Sequence, residues 1–140
     1  MKTICRRGIR IGVFLLILGF GGCGERELPK RSTYPTRGRV LWKGKPVRFV
    51  GVHLEPLDLA QGLPADGSTQ ADGTFEIRTY SNAEPDGAVP GQYKLQLGDS
   101  DNYQFLIPKG EKATQLPKEL LESERIVEIE AGDNDLQIDL

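Results

Sequence analysis

Histidine is almost absent from this chain, which limits the chemistry available to it. His53 is the single histidine among 140 residues. A zinc site usually takes several histidine or cysteine ligands, and no HExxH or HxxE motif is present. His53 also falls on the polar side of a predicted strand. We therefore expect His53 to be a surface side chain, and we expect neither a metal site nor a cofactor.

Motifs for nucleophilic catalysis are missing as well. The chain has no G-x-S-x-G sequence of the kind that presents a catalytic serine on a strand-to-helix turn. A Ser-His-Asp arrangement could use only one histidine, on a predicted wet face. The sequence therefore predicts a non-enzymatic protein with no catalytic residues. An accessory role beside an envelope hydrolase is the minor alternative.

The chain lacks an excess of positive charge. It has 18 basic and 20 acidic residues, and four of the 18 lie in the first 22 positions, where there is no acidic residue. The rest of the chain therefore has 14 basic against 20 acidic residues. Nucleic-acid binding usually requires a concentrated basic surface, so we expect no nucleic-acid partner.

No apolar run is long enough to cross a bilayer as a helix. The longest, residues 11–20 (IGVFLLILGF), has ten residues, whereas a spanning helix needs about twenty. It follows a basic stretch and precedes two glycines, which is the three-part layout of a secretory signal. We therefore predict a signal peptide over residues 1–22 and export of the mature protein.

Export leaves one cysteine in the mature chain. Cys5 lies in the predicted signal peptide, so Cys23 has no partner for an internal disulfide. The sequence Phe20-Gly21-Gly22-Cys23 resembles the lipobox of bacterial lipoproteins, although Phe20 stands where leucine is usual. The resemblance implies cleavage before Cys23, lipid attachment to Cys23, and a membrane-anchored protein facing the periplasm or the cell exterior. The same resemblance suggests that Gly24, in place of an acidic residue after the cysteine, favours the outer membrane in a host that has one.

The mature chain is predicted to have two parts. Residues 23–34 form the acylated cysteine and a flexible linker, because this stretch is charged, with mixed signs, and has little apolar periodicity. Residues 35–140 form one folded domain. Its first predicted strand ends at a Gly44-Lys45-Pro46 turn, and the next covers residues 47–54. Trp42 is assigned to the core rather than to a ligand platform.

The stretch 71–98 is the one around which the predicted domain is organised. An Asp72-Gly73 turn leads into one strand, and a long loop with Gly87, Pro90 and Gly91 leads into a second strand that faces the first. Alternation places one side of each strand in the core. The predicted inward side chains are Phe75, Ile77 and Thr79 in the first strand and Tyr93, Leu95 and Leu97 in the second, with Val50, Val52 and Leu54 inward in the strand before them.

The C-terminal third is predicted to contain one helical turn and a hairpin. The helical turn covers residues 117–121, and the hairpin joins residues 125–130 to residues 136–140 through a turn at 132–134. Small acidic clusters at 99–102 and 133–135 lack the glycine and the distal glutamate of an EF-hand loop. We therefore interpret both clusters as turns rather than calcium sites.

Four of these segments together resemble a known family. The sequences GRVLWKGKPV, VGVHLEP, TQADGTFEIRTY and DGAVPGQYKLQL are similar, in that order, to carboxypeptidase regulatory-like, or transthyretin-like, domains. The resemblance implies an all-β fold: a single Ig-like antiparallel β-sandwich of about seven strands. The shared motifs are turns and core positions, so they indicate a fold rather than an activity.

These features predict a membrane-tethered, non-enzymatic module for binding or scaffolding in the cell envelope. The class of ligand stays open. An unpaired edge strand would suit an envelope protein, and exposed aromatic side chains such as Tyr80 and Tyr103 would suit a carbohydrate.

Overall fold

The computed structural model describes residues 30–98, 105 and 107–140, and these form a β-sandwich of two four-stranded sheets with one short helix. The elements are β1 (Thr36–Trp42), β2 (Lys45–Pro46), β3 (Gly51–Pro56), β4 (Ala65–Ser68), β5 (Thr74–Glu76), β6 (Gly91–Gly98), α1 (Lys118–Leu121), β7 (Arg125–Ile129) and β8 (Asn134–Asp139). The predicted all-β class is confirmed, with eight strands. The predicted helical turn is confirmed as α1.

The two sheets differ in strand direction. The first sheet is built on β1, which pairs with β8 along one edge and with β5 and β2 along the other. The pairing of β1 with β8 is parallel, and all other pairs are antiparallel. The second sheet has the order β4-β3-β6-β7. The sandwich is therefore antiparallel, as predicted, except where β8 pairs with β1.

The prediction of a hairpin at the C-terminal end of the domain is wrong. β7 pairs with β6 in the second sheet, whereas β8 pairs with β1 in the first sheet. The residues between them cross from one sheet to the other. An alternating pattern shows which side chains face the core, but it is the same whether a strand pairs with its neighbour in sequence or crosses the sandwich.

A second crossing interrupts the strand predicted at 47–54. The chain leaves the first sheet at Pro46 and enters the second at Gly51. Between them Phe49 has a φ of 54°, a left-handed conformation that lies outside the β region and interrupts the strand. The difference arises because turn signals mark the ends of strands only to within a few residues.

The core lies between the inner faces of the two sheets, and most of the predicted inward residues are in it. Seven of the residues predicted to face inward are at most 1% exposed: Val50, Val52, Leu54, Phe75, Ile77, Tyr93 and Leu95. Leu97 is 5% exposed, and Trp42 is partly buried against the core, as predicted. Thr79 is half-buried, because β5 ends at Glu76 and the chain leaves the sheet before reaching it.

Both predicted turns are present, and the first is shifted by one residue. The turn predicted at Gly44-Lys45-Pro46 lies at Lys43 and Gly44, and Lys45–Pro46 form β2. The φ values of 52° at Lys43 and 76° at Gly44 match the two-residue turn that suits the twist of paired strands. The Asp72-Gly73 turn is closed by bonds from the Gly73 amide to the Gln70 carbonyl, 3.0 Å, and from the Gln70 amide to the Thr74 carbonyl, 2.7 Å. Hydrogen bonds from the Thr74 hydroxyl and amide lower the pKa of the Asp72 carboxyl.

Candidate functional site

One end of the sandwich collects the N-terminal segment and three loops, and we name it the tether pole. Strands β1, β6 and β8 begin at this end, and β3 and β7 finish at it. The tether pole consists of residues 30–35, 57–64, 77–90 and 130–133. The β1–β2 hairpin lies at the opposite end, which we name the far pole.

The segment that enters β1 is clamped to the loop between β5 and β6. The Tyr34 amide donates to the Ala88 carbonyl at 2.9 Å, and the Ala88 amide donates to the Tyr34 carbonyl at 3.0 Å. Gly87 makes this pairing feasible, because it has a φ of 81° and a Cβ there would lie 1.8 Å from the Tyr34 carbonyl oxygen. The chain therefore becomes part of the sandwich at Tyr34, before β1 begins.

Residues closer to the predicted lipid anchor also contact the sandwich. The Arg31 amide donates to the Tyr80 hydroxyl at 2.8 Å, and the Arg31 guanidinium donates to the Gly62 carbonyl at 3.4 Å. The Lys30 ammonium lies 5.6 Å from the centre of the Tyr80 ring. Part of the segment that the sequence assigns to a flexible linker is thus held against two loops of the tether pole.

These contacts bear on the aromatic residues proposed for carbohydrate binding. Tyr80 is half-buried, its hydroxyl accepts a hydrogen bond from Arg31, and Lys30 lies over its ring. A stacking platform for a sugar needs an open ring face, so this arrangement does not favour Tyr80 in that role. Tyr103 lies outside the described residues.

A half-buried carboxylate that sequence reasoning missed shapes the loop at Tyr80. The Asp86 carboxylate accepts hydrogen bonds from three successive backbone amides, those of Thr79 at 2.7 Å, Tyr80 at 2.9 Å and Ser81 at 3.1 Å. A carboxylate with several such donors is well satisfied, so we assign Asp86 to loop structure. The Asp86-Gly87 pair was the available signal, since both residue types favour tight turns.

The loop after β3 forms a compact turn with exposed leucines. The Asp58 carbonyl accepts from the amides of Gln61 at 3.0 Å and Gly62 at 2.9 Å, and the Asp58 carboxylate accepts from the Ala60 amide at 2.9 Å. The turn displays Leu57 with 46% exposure and Leu59 with 70% exposure. We name residues 57–62 the leucine turn.

Tyr93 packs against the core-facing side of the leucine turn. Its ring is fully buried, and its hydroxyl donates to the Val89 carbonyl at 2.6 Å. A Cβ at Gly62 would lie 3.1 Å from that hydroxyl, so the turn passes directly over the tyrosine. Burial raises the pKa of Tyr93, because the charged phenolate would lose its hydration.

His53 lies where the sequence predicts, on the outer face of the second sheet. It is half-buried and pairs in register with Asp66 on β4 and Gln96 on β6. A shallow cavity of about 380 Å³ includes His53, Asp66 and Gln96 in its lining. The apolar neighbours Val52 and Leu54 point to the opposite side, into the core.

A second cavity, of about 540 Å³, lies on the outer face of the first sheet. Its charged lining alternates in sign, because Arg37 on β1 pairs in register with Glu76 on β5 and with Asp135 on β8. Arg39, two residues further along, adds a second positive charge. Such a surface is polar and solvated, and it offers no concentrated charge for an anionic ligand.

The remaining predicted site residues are not brought together. Cys23 and the acidic cluster at 99–102 lie outside the described residues. In the second acidic cluster, Asn134 turns inward and donates to the carbonyls of Glu130 and Gly132, both at 3.0 Å, while Asp133 and Asp135 are exposed. Across the described part of the chain no three metal-ligating side chains cluster, and none of its helices is both long and apolar enough to traverse a bilayer.

Comparisons with known proteins add a similarity in fold. No family model matches the chain, and no curated protein matches it. A solved structure of a DUF3823 family protein from Parabacteroides merdae is similar to it, with 14% sequence identity and a TM-score of 0.49. The similarity covers 79% of this chain and 46% of that protein, so the chain spans less than half of its length. We carry no functional residue over from it.

Proposed function

We propose that this protein is a bacterial lipoprotein whose sandwich is a non-enzymatic binding or scaffolding module held at a membrane of the cell envelope. The observation that carries the proposal is the Phe20-Gly21-Gly22-Cys23 sequence, which directly follows a basic stretch and a ten-residue apolar run. Acylation gives the unpaired Cys23 a role in an exported protein. Two acyl chains or more would hold the domain stably on a bilayer, since each buried methylene contributes about 0.8 kcal/mol.

We also propose that the sandwich is a carboxypeptidase regulatory-like domain. The motifs behind this resemblance have structural roles in the chain: Gly73 closes the turn into β5, Gly87 permits the clamp on Tyr34, and Tyr93 fills the core. In carboxypeptidases such a sandwich accompanies a separate catalytic domain, which is consistent with a binding or scaffolding role here.

The test of the anchor is substitution of the cysteine. Cys23→Ala should accumulate as unprocessed protein or move out of the membrane fraction, because the thioether cannot form. Cys5→Ala is the matched control, since it removes the other cysteine from the same leader and should be processed normally. Membrane fractionation and gel mobility report both effects. A Cys23→Ala protein that is cleaved and membrane-bound like the wild type would contradict the proposal.

A further inference from the structure

Two exposed leucines lie at the same pole as the tether. Leu57 and Leu59 are 46% and 70% exposed, and they sit two residues apart on the leucine turn. Exposed leucines scattered singly are ordinary on a protein surface. Two on one ordered turn concentrate apolar surface in the leucine turn. The position of this turn relative to the proposed lipid anchor suggests which surface the two leucines contact.

The leucine turn is held firmly by backbone bonds. The Leu57 amide donates to the Gln92 carbonyl at 2.9 Å, which fixes the start of the turn to β6. Bonds from Gln61 and Gly62 to Asp58 close it. The backbone that carries Leu59 is therefore already ordered, so burial of this leucine costs side-chain rotamer entropy but little backbone entropy.

The tether brings this turn close to the lipid anchor. Six residues separate Cys23 from Lys30, so a fully extended chain would span at most about 25 Å between them. Arg31 then bonds to Gly62 at the end of the leucine turn. Once Cys23 is acylated, as proposed above, the turn cannot move far from the bilayer surface.

We propose that the sandwich rests on the membrane through the tether pole, with Leu57 and Leu59 inserted at the boundary between headgroups and acyl chains. The charges at this pole are mixed, because it contains Lys30 and Arg31 as well as Asp58 and Glu84. The contact therefore depends on the leucines and needs no anionic lipid. The far pole, with the β1–β2 hairpin, then points away from the membrane toward partners.

The test uses the full-length protein, processed in a bacterial host and reconstituted into phosphatidylcholine vesicles. Leu59→Cys and Lys45→Cys each introduce one thiol, at the tether pole and at the exposed far pole. Each is labelled with an environment-sensitive fluorophore, and a doxyl-labelled lipid serves as quencher. The probe at position 59 should shift its emission to the blue and lose intensity when the quencher is added. The probe at position 45 should do neither.

Equal responses at the two positions, or a stronger response at position 45, would overturn the proposed orientation. The parent protein, without an added cysteine, separates this failure from failure of the anchor. If Cys23 is acylated, the parent takes up no thiol label. Labelling of the parent at Cys23 would contradict acylation, and with it the orientation that rests on acylation.

Discussion

At the scale of single residues, two glycines with similar backbone conformations have very different surroundings. Gly73 and Gly44 have φ values of 80° and 76°. A Cβ at Gly73 would lie 2.7 Å from the Val40 carbonyl oxygen and 3.1 Å from the Pro46 Cβ, whereas a Cβ at Gly44 would meet nothing within 4 Å. The pair therefore separates the cost of a left-handed conformation from the cost of a steric clash.

We predict that Gly73→Val lowers the free energy of unfolding more than Gly44→Val. Both variants place a side chain at positive φ, which costs about 1–2 kcal/mol. The clash at Gly73 adds about 1–3 kcal/mol, because the neighbouring atoms belong to backbone and to a proline ring. Urea denaturation of the two variants measures the difference. Equal losses would show that the Asp72-Gly73 turn is not packed as described.

Because of Tyr93, the free energy of unfolding should decrease at alkaline pH. Its folded-state pKa is raised above the ordinary value of 10.0, so the unfolded chain loses the phenolic proton first as pH rises. The contribution of Tyr93 is therefore complete below about pH 10 and is lost as pH rises toward the folded-state pKa. The loss has an upper limit of about 1.4 kcal/mol per pH unit.

Tyr93→Phe should remove this contribution. At neutral pH the variant loses about 1–3 kcal/mol, because the Val89 carbonyl is left without its donor. Above pH 10 the gap between wild type and variant should narrow, since only the wild type has this group to titrate. The other tyrosines titrate in both proteins and cancel in the comparison. Denaturation curves with a gap that stays constant from pH 8 to pH 11 would contradict the assignment.

At the scale of elements, β8 links the C-terminus to the first strand of the domain. It pairs with β1 over six residues in parallel, and Asn134 at its start accepts from the Glu130 amide at 2.9 Å. Ile138 is 5% exposed between the sheets. Because β1 is the centre of the first sheet, β8 completes the sheet rather than extending a hairpin.

We predict that ending the chain after Asp135 abolishes cooperative unfolding. Truncation of one buried isoleucine alone costs about 2–5 kcal/mol, and small domains have only about 5–15 kcal/mol in total. The deletion removes Ile138 together with most of β8, one of the three strands that pair with β1. The outward-facing double variant Gln137→Ala and Asp139→Ala is the control and should change the free energy of unfolding by less than about 1 kcal/mol. Thermal melts monitored by circular dichroism distinguish the truncated chain from the double variant. A sharp melt of the truncated chain would contradict the conclusion that β8 is needed to complete the first sheet.

The sequence predicts the faces of the strands better than their partners. Alternation identifies the inward side chains of β3 and β6, and turn chemistry locates Gly44 and Gly73. The partner of β8 has no such signal, because inward and outward positions alternate identically in a hairpin and in a crossing strand. The clamp on Tyr34 is also invisible in composition, since it is made by backbone groups that every residue carries.

At the scale of the whole molecule, a segment close in sequence to the proposed lipid anchor is held against the sandwich. Residues 30–34 bond to Gly62, Tyr80 and Ala88, and only six residues separate Cys23 from Lys30. In the orientation proposed, the tether pole faces the lipid. The strands, including the outer strands β4 and β7 of the second sheet, then run roughly perpendicular to the membrane plane. An envelope protein that adds a strand to one of these outer strands would then approach along the bilayer surface.

The most direct measurement for this account is the intact mass of the protein extracted from membranes with detergent. We predict a chain that begins at Cys23 and carries the added mass of a diacylglyceryl group, with or without a further acyl chain on its amino group. A mass equal to the unmodified full-length chain, or to a chain cut elsewhere with an unmodified Cys23, would contradict the assignment as a lipoprotein.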